Sequence, residues 1–525
     1  MFDILIQNAN IVDGSGKPGF HGDVAVQNGK IAAVGQLASA SAHKVLDAAG
    51  RTLTPGFLDI HRHGDGALFR PGYGEAEIRQ GLTTVVNGNC GLSMAPVNGA
   101  YADDLRDYLL PITGSAPDGV DCSSVDSYLD AVEQVRLPLN NGFLVGMGTL
   151  RADIAGLGDG ELTDDQYHQL YRHMENALSD GAVGVSLGLG YAPECYYQTK
   201  GLIRALEPLA NTNVPVTVHM RQEGDEVVEA LEEMLTVAKT LHLRLEVSHL
   251  KSIGRHNWCS SVPKMLAMLE AARADGLDVA CDFYPYPAGS TQLIHVLPTE
   301  YQADPMTALQ DPEERKHIRH RIETGRDFEN IIHLSGFDLV LATGLHQPEN
   351  LALEGKSIQK IAQLQEKDPF DALFDLLVSE HCGASMIDFI ASEEDMEDIL
   401  RKDFSSVISD ATYPTSGLYH PRVYGTFPRL IERFVYDKKT ISMETAVRKI
   451  TSLPASRLGL TKKGQIRVGA DADLCLFCPE QLKEQGTWQK PDTFASGMDW
   501  VFVDGQPVLA DGVLTDAKPG HCLRK

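Results

Sequence analysis

Two short runs rich in β-branched residues, each ending in histidine, flank a helical stretch near the middle of the chain. The runs are Val214–His219 and Leu243–His249, and apolar residues between Glu223 and Leu241 recur with the 3.6-residue spacing of one helix face. A strand, a helix and a second strand form the βαβ unit of a parallel sheet. We therefore expect both histidines at the carboxyl ends of neighbouring parallel strands, the edge where barrel enzymes carry their catalytic residues.

A third apolar run, Thr52–Ile60, ends in the triplet His61-Arg62-His63. Residues two apart in a strand point to the same side, so His61 and His63 are expected to face one point. Neutral imidazole is the commonest side-chain ligand of metal ions in proteins. The pattern alone also fits two loop histidines in water, but the histidines of the other two strands favour a shared metal site.

Strands and helices alternate through the middle of the chain. Eight strands are predicted there, which is the number that a closed (β/α)8 barrel requires. The predicted strands are Leu53–Ile60, Thr83–Val86, Gly142–Val145, Ala182–Ser186, Val214–Val218, Leu243–Ser248, Leu277–Phe283 and Ser405–Ser409. The sequence therefore predicts an α/β fold with a (β/α)8 TIM-type barrel, which we assign to residues 54–462. One barrel helix is expected to begin at the capping-box pattern Thr163–Gln166.

The two ends of the chain carry short β runs separated by turns that contain glycine. A chain of 525 residues exceeds what one hydrophobic core usually holds, and we predict that residues 1–53 and 463–525 form a small β-sandwich domain together. Residues 292–344 form a stretch longer than a barrel loop usually is, with a charged helix and a strand of its own. We predict an inserted α+β subdomain there, placed as a lid over the barrel mouth.

The composition restricts the partners and the compartment. A formal net charge of −26 disfavours nucleic acid or an anionic membrane surface as partner, whereas a small anionic substrate needs only a few local cations. The chain lacks the basic start and long apolar core of a signal peptide, and no apolar span reaches membrane length. Its nine cysteines are scattered singly, which is typical of a reducing cytoplasm. We therefore expect a cytoplasmic protein that acts on a small molecule.

Two further predicted strand ends carry candidate metal ligands. Cys90 follows the strand Thr83–Val86, and thiolate is an excellent zinc ligand, although a lone cysteine at this place also fits core packing. Asp410 follows the strand Ser405–Ser409, where a carboxylate can coordinate a metal and accept a proton from water. The alternative interpretation of Asp410 is a helix N-cap.

Taken together, these motifs resemble the amidohydrolase superfamily. The resemblance begins with Thr54–His63 and includes His219, His249 and Asp410. Further segments resemble the N-acyl-D-amino-acid deacylase (D-aminoacylase) family of that superfamily, namely Asn87–Gly91, Val218–Glu223, Ser248–Lys251, Tyr284–Ser290 and His420–Pro428. The similarity extends over essentially the whole chain.

The resemblance implies a zinc-dependent enzyme that hydrolyses N-acyl-D-amino acids to a carboxylic acid and a free D-amino acid. It implies one tightly bound Zn²⁺ on Cys90, His219 and His249, and a weaker second position near His61, His63 and Asp410. Asp410 would be catalytic, first as general base and then as general acid. Hydantoinase-like and dihydroorotase-like members carry a carboxylated lysine at the end of the fourth strand, whereas no lysine lies between Asn141 and Lys200 in this chain.

The resemblance also implies how a substrate is bound. Arg422 would hold the substrate carboxylate, Lys251 and Tyr284 would add hydrogen-bond donors, and Tyr191 and Ser290 would line the pocket. Relatives specific for D-glutamate carry an arginine shortly after the position of Ser290, and Thr291–Pro298 contains none, so a neutral D-side chain is expected. The alternatives are another metal-dependent amidohydrolase, acting on D-dipeptides, other N-acyl compounds or cyclic amides, and a metal-free scaffold protein.

The chain departs from the family pattern next to some of these motifs. Arg62 stands between the first two histidines where threonine is usual, Met147 stands where histidine is common, and Ala411 follows Asp410 where glycine is usual. None of these residues is an implied metal ligand.

Overall fold

A parallel barrel occupies the middle of the chain in the computed structural model, which describes residues 1–414 and 417–525. Within these ranges, eight parallel strands pair in chain order, so that each strand is hydrogen-bonded to the next. They are Phe57–Asp59, Leu82–Asn87, Asn140–Gly146, Gly184–Gly188, Pro215–His219, Arg244–Val247, Val279–Phe283 and Ser405–Val407. Each predicted barrel strand overlaps one of these strands, and the predicted (β/α)8 barrel is confirmed.

The barrel closes between its first and last strands through a seam of polar contacts. Asp59 Oδ1 accepts a hydrogen bond from Ser409 N at 3.0 Å, and Asp59 Oδ2 accepts one from Ser409 Oγ at 2.5 Å. One residue further on, Asp410 N donates to His61 O at 3.0 Å. The seam therefore brings the carboxylate that follows the last strand beside the histidines that follow the first.

Arg62, the unusual residue between those two histidines, extends the seam on its other face. Arg62–His63 pairs in parallel with Ala411–Thr412. The guanidinium of Arg62 is fully buried, lies 2.8 Å from Glu77 Oε1 and contacts the hydroxyl of Tyr413. Because adjacent strand residues point to opposite sides, Arg62 anchors the pair from behind and leaves the histidines free to face the barrel mouth.

Helices cover the outside of the barrel. Thr163 N donates to Gln166 Oε1 at 2.9 Å and Gln166 N donates to Thr163 Oγ1 at 3.3 Å, so the predicted capping box does begin a helix. In the part of the chain that the structure describes, no helix is long and apolar enough to cross a membrane. The helices around the barrel are Glu75–Arg79, Ala102–Thr113, Val125–Val135, Met147–Ala155, Asp164–Ser179, Thr199–Ala205, Val227–Leu241, Ser261–Ala274, Glu393–Leu400, Arg422–Arg429, Met443–Lys449 and Ser452–Arg457.

Both ends of the chain contribute to a second sheet. Nine strands of the described residues form one continuous sheet, in which Thr52–Pro55 pairs antiparallel with Leu474–Phe477. Some apolar residues of this sheet form a core that is separate from the barrel core. Phe477, by contrast, packs into the barrel core. The strands are Phe2–Ile11, Phe20–Gln27, Lys30–Gly35, Ala42–Asp47, Thr52–Pro55, Leu474–Phe477, Met498–Val503, Gln506–Ala510 and Val513–Leu514.

The predicted strand Leu53–Ile60 is divided between the two sheets. It breaks at Gly56, so that Thr52–Pro55 belongs to the terminal sheet and Phe57–Asp59 begins the barrel. A Cβ atom at Gly56 would lie 2.2 Å from Thr83 Oγ1, which leaves room only for glycine at this crossing. The prediction of one uninterrupted strand was wrong because an apolar run carries no mark of which sheet each half joins.

An inserted subdomain lies between the seventh and eighth barrel strands. Its strands are antiparallel, with Ser385–Phe389 between Ala288–Gln292 and Val340–Thr343. The segment therefore extends well past residue 344. The sequence-based boundary was placed there because the helices after that point resemble ordinary barrel helices in sequence. The helices of the insert are Pro305–Gln310, Pro312–Thr324, Ile331–Ser335, Ile358–Gln365 and Pro369–Ser379.

Arg457 is expected to stabilise the barrel through its contacts with the strand Arg244–Val247. Its Nε donates to Glu246 Oε2 and its Nη2 to Leu245 O, both at 2.7 Å, and burial raises the pKa of Glu246 to about 7. Replacing Arg457 with methionine removes this cation from beside a buried carboxyl group and is expected to lower the free energy of unfolding by about 3–5 kcal/mol. Denaturant titration measures the loss, with exposed Arg467→Met as control, and equal losses in both variants would contradict the prediction.

Candidate active site

Cys90, His219 and His249 meet at the mouth of the barrel. Each follows or ends one of the parallel strands, and the exposed fraction of each is 5% or less. Cys90 Sγ lies 3.4 Å from His249 Nε2, and His219 Nδ1 lies 3.0 Å from the same nitrogen. One ligand atom from each residue lies within 4.8 Å of the others, which is close enough for one metal ion to contact all of them.

The backbone bends sharply where these strands end. Cys90, His249 and Asp410 have φ angles of +54°, +36° and +52°, in the left-handed region that non-glycine residues rarely adopt. His249 is held there by Asp282 Oδ1, which accepts its N–H at 2.5 Å. Such strained residues cluster at functional sites, where the surrounding structure fixes them.

A second group of candidate ligands shares Cys90 with the first. His61 Nε2 lies 3.2 Å from Cys90 Sγ and 3.5 Å from Asp410 Oδ1, and His63 Nε2 lies 3.3 Å from the same carboxylate oxygen. The Nδ1 atoms of His61 and His63 are buried without a hydrogen-bond partner among the residues described. The structure thus brings together all six residues that the resemblance implied as metal ligands.

The protonation of these groups suits a metal ion. Burial lowers the pKa of His61 to about 3 and the pKa of His219 well below its usual value, so both imidazoles are neutral and keep a lone pair. Burial also raises the pKa of the Cys90 thiol well above its usual value. A bound cation reverses that shift, because a coordinated thiol loses its proton. A thiol, neutral imidazoles and a carboxylate form a donor set that fits zinc.

Asp410 is paired with Arg422. Asp410 Oδ2 lies 2.9 Å from Arg422 Nη1. Burial opposes ionisation of Asp410, but the Arg422 guanidinium and the hydrogen bond with His63 hold the pKa of its carboxyl group well below the usual range. The helix N-cap interpretation of Asp410 is wrong, because the residue precedes the short strand Ala411–Thr412 and not a helix.

Arg422 lies behind the wall of the cavity. Its guanidinium is fully buried, donates from Nη2 to Ser290 O at 3.2 Å and stacks 4.8 Å from the ring of Tyr284. Its Nε and Nη1 atoms have no directed hydrogen bond within the described ranges. The side chain predicted to hold the substrate carboxylate is therefore separated from the cavity by Ser290 and Tyr284, which do line it.

Lys251 is on the wall itself and belongs to a tight group with Glu223 and His249. Lys251 Nζ lies 2.5 Å from Glu223 Oε2 and 3.1 Å from His249 Nδ1, and Glu223 Oε1 lies 2.9 Å from the same His249 nitrogen. Burial disfavours the charged forms of Glu223 and Lys251, but the attraction between the two opposite charges outweighs the effect of burial on each of them. The pKa of Glu223 is therefore lowered below its usual value and the pKa of Lys251 is raised above its own.

A cavity opens above these groups. Among the described residues, Lys251 is the only lysine or arginine on its wall. The insert supplies part of the wall. The apolar side chains of the wall are Leu92, Ile112, Ile253, Ile331, Met386 and Ile390.

Aromatic and acidic side chains complete the cavity. The ring of Tyr191 lies between those of His219 and His295, with centroid distances of 4.4 and 4.6 Å. Two carboxyl groups of the insert also face the cavity, and burial raises the pKa of Glu329 to about 8 and that of Asp388 to about 6. In the described structure, the cavity wall thus combines one lysine and six apolar side chains with the two carboxyl groups that the insert supplies.

The sequence analysis missed three residues of this site. Glu223 ends a motif that it did quote, and its position soon after His219 was an available signal. Asp282 is an acidic residue inside a predicted apolar strand, which was a second signal. His295 lies in the insert, and nothing in its local sequence indicated a place beside Tyr191.

The chain is similar to known proteins over its whole length. Residues 44–317 and 340–509 match the family model described as "Amidohydrolase family". The chain is 32% identical over 524 residues to D-aminoacylase of Alcaligenes xylosoxydans xylosoxydans, covering 100% of this chain and 98% of that protein. It is 32% identical over 531 residues to N-acyl-D-glutamate deacylase of the same organism, covering 100% and 96%.

A solved structure shares the fold over its full length. The crystal structure of N-acyl-D-glutamate deacylase from Bordetella bronchiseptica, in complex with zinc and a phosphonate that mimics the tetrahedral intermediate, matches with a TM-score of 0.83 at 29% identity and covers 100% of both chains. These matches confirm the resemblance predicted from the motifs and an enzyme of the amidohydrolase type. The chain belongs to the amidohydrolase family, among the relatives of D-aminoacylase.

Proposed function

We propose that this amidohydrolase is a zinc-dependent deacylase that converts linear N-acyl-D-amino acids to a carboxylic acid and a free D-amino acid. The observation that carries the proposal is the convergence of Cys90, His219 and His249 with Asp410 beside a cavity whose wall carries Lys251. The names of the two full-length relatives support the substrate class.

The residues that would hold the metal are the two groups that share Cys90. Cys90, His219 and His249 would form the tight zinc position, and His61, His63 and Asp410 the weaker second one. Zinc bound there supplies a Lewis acid that polarises the scissile carbonyl group and makes water a better nucleophile. The buried neutral imidazoles support this assignment because zinc binds the neutral form of the ring, and the Cys90 thiol would lose its proton to a bound zinc ion.

Asp410 is proposed as the group that moves the proton. Arg422 and His63 keep its carboxylate ionised, so it is ready to accept a proton from the attacking water at Oδ1 or Oδ2. The same carboxyl group then donates that proton to the departing nitrogen, which is a poor leaving group until it is protonated.

Lys251 is proposed as the first partner of the substrate carboxylate. It lines the cavity, and its ammonium lies 6.0 Å from the ring centroid of Tyr284. Arg422 contributes positive charge from behind Tyr284 and Ser290.

A neutral side chain suits the rest of the cavity. With Lys251 used for the α-carboxylate, no further lysine or arginine of the described cavity wall remains for a second carboxylate. The acids Asp388 and Glu329 face the cavity instead, beside apolar residues such as Met386 and Ile390. Cyclic amides are disfavoured because strand Gly184–Gly188 carries no lysine that could be carboxylated.

A substrate panel tests the proposed function. At pH 8, above the pKa of about 6 of Asp388, the purified enzyme should hydrolyse N-acetyl-D-methionine and not N-acetyl-L-methionine, dihydrouracil or hydantoin. N-acetyl-D-glutamate should show a kcat/KM at least ~10-fold lower than the methionine substrate, because its second carboxylate faces like charge. Equal rates for the two methionine enantiomers would refute the assignment to D-amino acids.

Zinc content tests the proposed ligands. The purified protein should hold close to one tightly bound zinc per chain, and Cys90→Ala should lose that zinc and at least ~10²-fold in kcat, since the Lewis acid goes with it. Cys478→Ala, which changes a partly exposed cysteine outside the site, is the control. Elemental analysis after dialysis measures the zinc content of both variants. An unchanged zinc content in Cys90→Ala would mean that Cys90 only packs in the core.

The rate of Asp410→Asn tests the proton transfer. The amide is almost isosteric but cannot take up the proton, so kcat should fall by at least ~10²-fold while the tight zinc and the folded state remain. Steady-state kinetics and zinc analysis on the same preparation make the measurement. A kcat within a few-fold of the unmodified enzyme would exclude Asp410 as the proton carrier.

A further inference from the structure

We propose that Glu223 is a positioning residue that sets the tautomer of His249 for metal binding and at the same time holds Lys251 in place for the substrate. The inference rests on the proposed function only where it treats Lys251 as the partner of the substrate carboxylate. Its first half concerns the metal site alone.

The tautomer argument starts from the two nitrogens of His249. Nε2 is the atom that faces Cys90 and His219, so it must carry the lone pair if His249 is to bind a metal. Nδ1 then carries the hydrogen and needs an acceptor. Two side chains reach Nδ1: Glu223 Oε1 lies 2.9 Å away but makes no directed hydrogen bond among the described residues, and Lys251 Nζ lies 3.1 Å away in hydrogen-bond geometry.

Of these two side chains, only Glu223 can be the acceptor. An ammonium group has three donors and no lone pair, so Lys251 can only donate to Nδ1, which would put the hydrogen on Nε2 and block metal binding there. A carboxylate accepts from Nδ1–H and leaves Nε2 free. Metal-binding histidines commonly rely on such a carboxylate, and its removal typically weakens metal binding.

The second oxygen of Glu223 holds the lysine. Oε2 lies 2.5 Å from Lys251 Nζ, which keeps the ammonium drawn toward Glu223 and on the cavity wall. The side chain of Glu223 is therefore shared between a proposed metal ligand and a proposed substrate partner. Because burying a carboxylate is costly unless it is paired, two such partners account for an acid at a position that is only 2% exposed.

The main chain of Glu223 is fixed as well. Its N–H donates to Glu329 Oε2 of the insert at 2.7 Å, and its carbonyl oxygen accepts from Ile253 N at 2.7 Å. Glu223 is thus held from the barrel side and from the cover of the cavity. Supporting contacts of this kind hold the residues of a site near their working geometry, within about 0.5 Å.

The test compares Glu223→Ala, Glu223→Gln and Lys251→Met, with Glu232→Gln on the exposed face of the helix Val227–Leu241 as matched control. The zinc dissociation constant of each metal-free protein is measured by competition with a chromophoric chelator. The kcat and KM for N-acetyl-D-methionine are measured on the zinc-loaded proteins.

Glu223→Ala should raise the zinc dissociation constant by about 10–100-fold, the usual effect of losing the acceptor of a metal-binding histidine. It should also raise KM by at least ~10-fold, because Lys251 loses the partner that holds it. Lys251→Met should raise KM to a similar extent and leave zinc binding like that of the control. The simultaneous change of both readouts is specific to Glu223.

Zinc binding in Glu223→Ala equal to that of the control would overturn the proposal, and so would a loss of zinc in Lys251→Met as large as in Glu223→Ala. If Glu223→Ala does not fold, the almost isosteric Glu223→Gln decides. Its amide oxygen still accepts from Nδ1 but its charge is gone, so KM must rise while zinc binding falls less than tenfold. If the unmodified enzyme hydrolyses no N-acyl-D-amino acid, the proposed function fails and the zinc measurement alone decides the role of Glu223.

Discussion

The active site depends on the closure of the barrel between its first and last strands. Asp59 and Ser409 are 350 positions apart in the chain, and their two hydrogen bonds bring His61 and His63 next to Asp410. Asp59 is fully buried, and burial raises its pKa. On the far face of the seam, Arg62 contacts Glu77 and Tyr413, so the strand of the histidines is fixed from both sides. Without this closure, His61 and His63 would not lie beside Asp410 at the barrel mouth.

Burial sets the charge of each group inside the closed barrel. The imidazoles are neutral because burial outweighs the attraction of the nearby carboxylates for a second proton, and the thiol of Cys90 keeps its proton until a cation arrives. Carboxylates remain ionised only beside a cation, as Asp410 does beside Arg422 and Glu223 beside Lys251. The three kinds of chemistry proposed for the site, which are metal ligation, proton transfer and anion binding, can therefore coexist within one small volume because each ionised carboxylate has its own counter-charge.

The parts of this arrangement that could be predicted are those whose sequence signal lies within a few consecutive residues. A strand that ends in histidine shows its periodicity and its ligand within a few residues, as in Val214–His219, and the order of parallel strands then follows the chain. The position of Arg422 behind Tyr284 could not be predicted, because the path of a long side chain depends on residues far away in sequence. The extent of the insert was missed for a similar reason, since Ser385–Phe389 pairs with a strand almost 100 residues earlier.

The sheet built from both ends of the chain has a consequence for synthesis on the ribosome. Thr52–Pro55 emerges before the barrel strands, but its antiparallel partner Leu474–Phe477 is made only after the whole barrel. During that interval the early strand presents unpaired backbone groups, and such an open edge is a site of aggregation. The sheet can therefore be completed only after the barrel strands have been made. Until then, the exposed edge of the early strand needs protection, either by a chaperone or by rapid elongation.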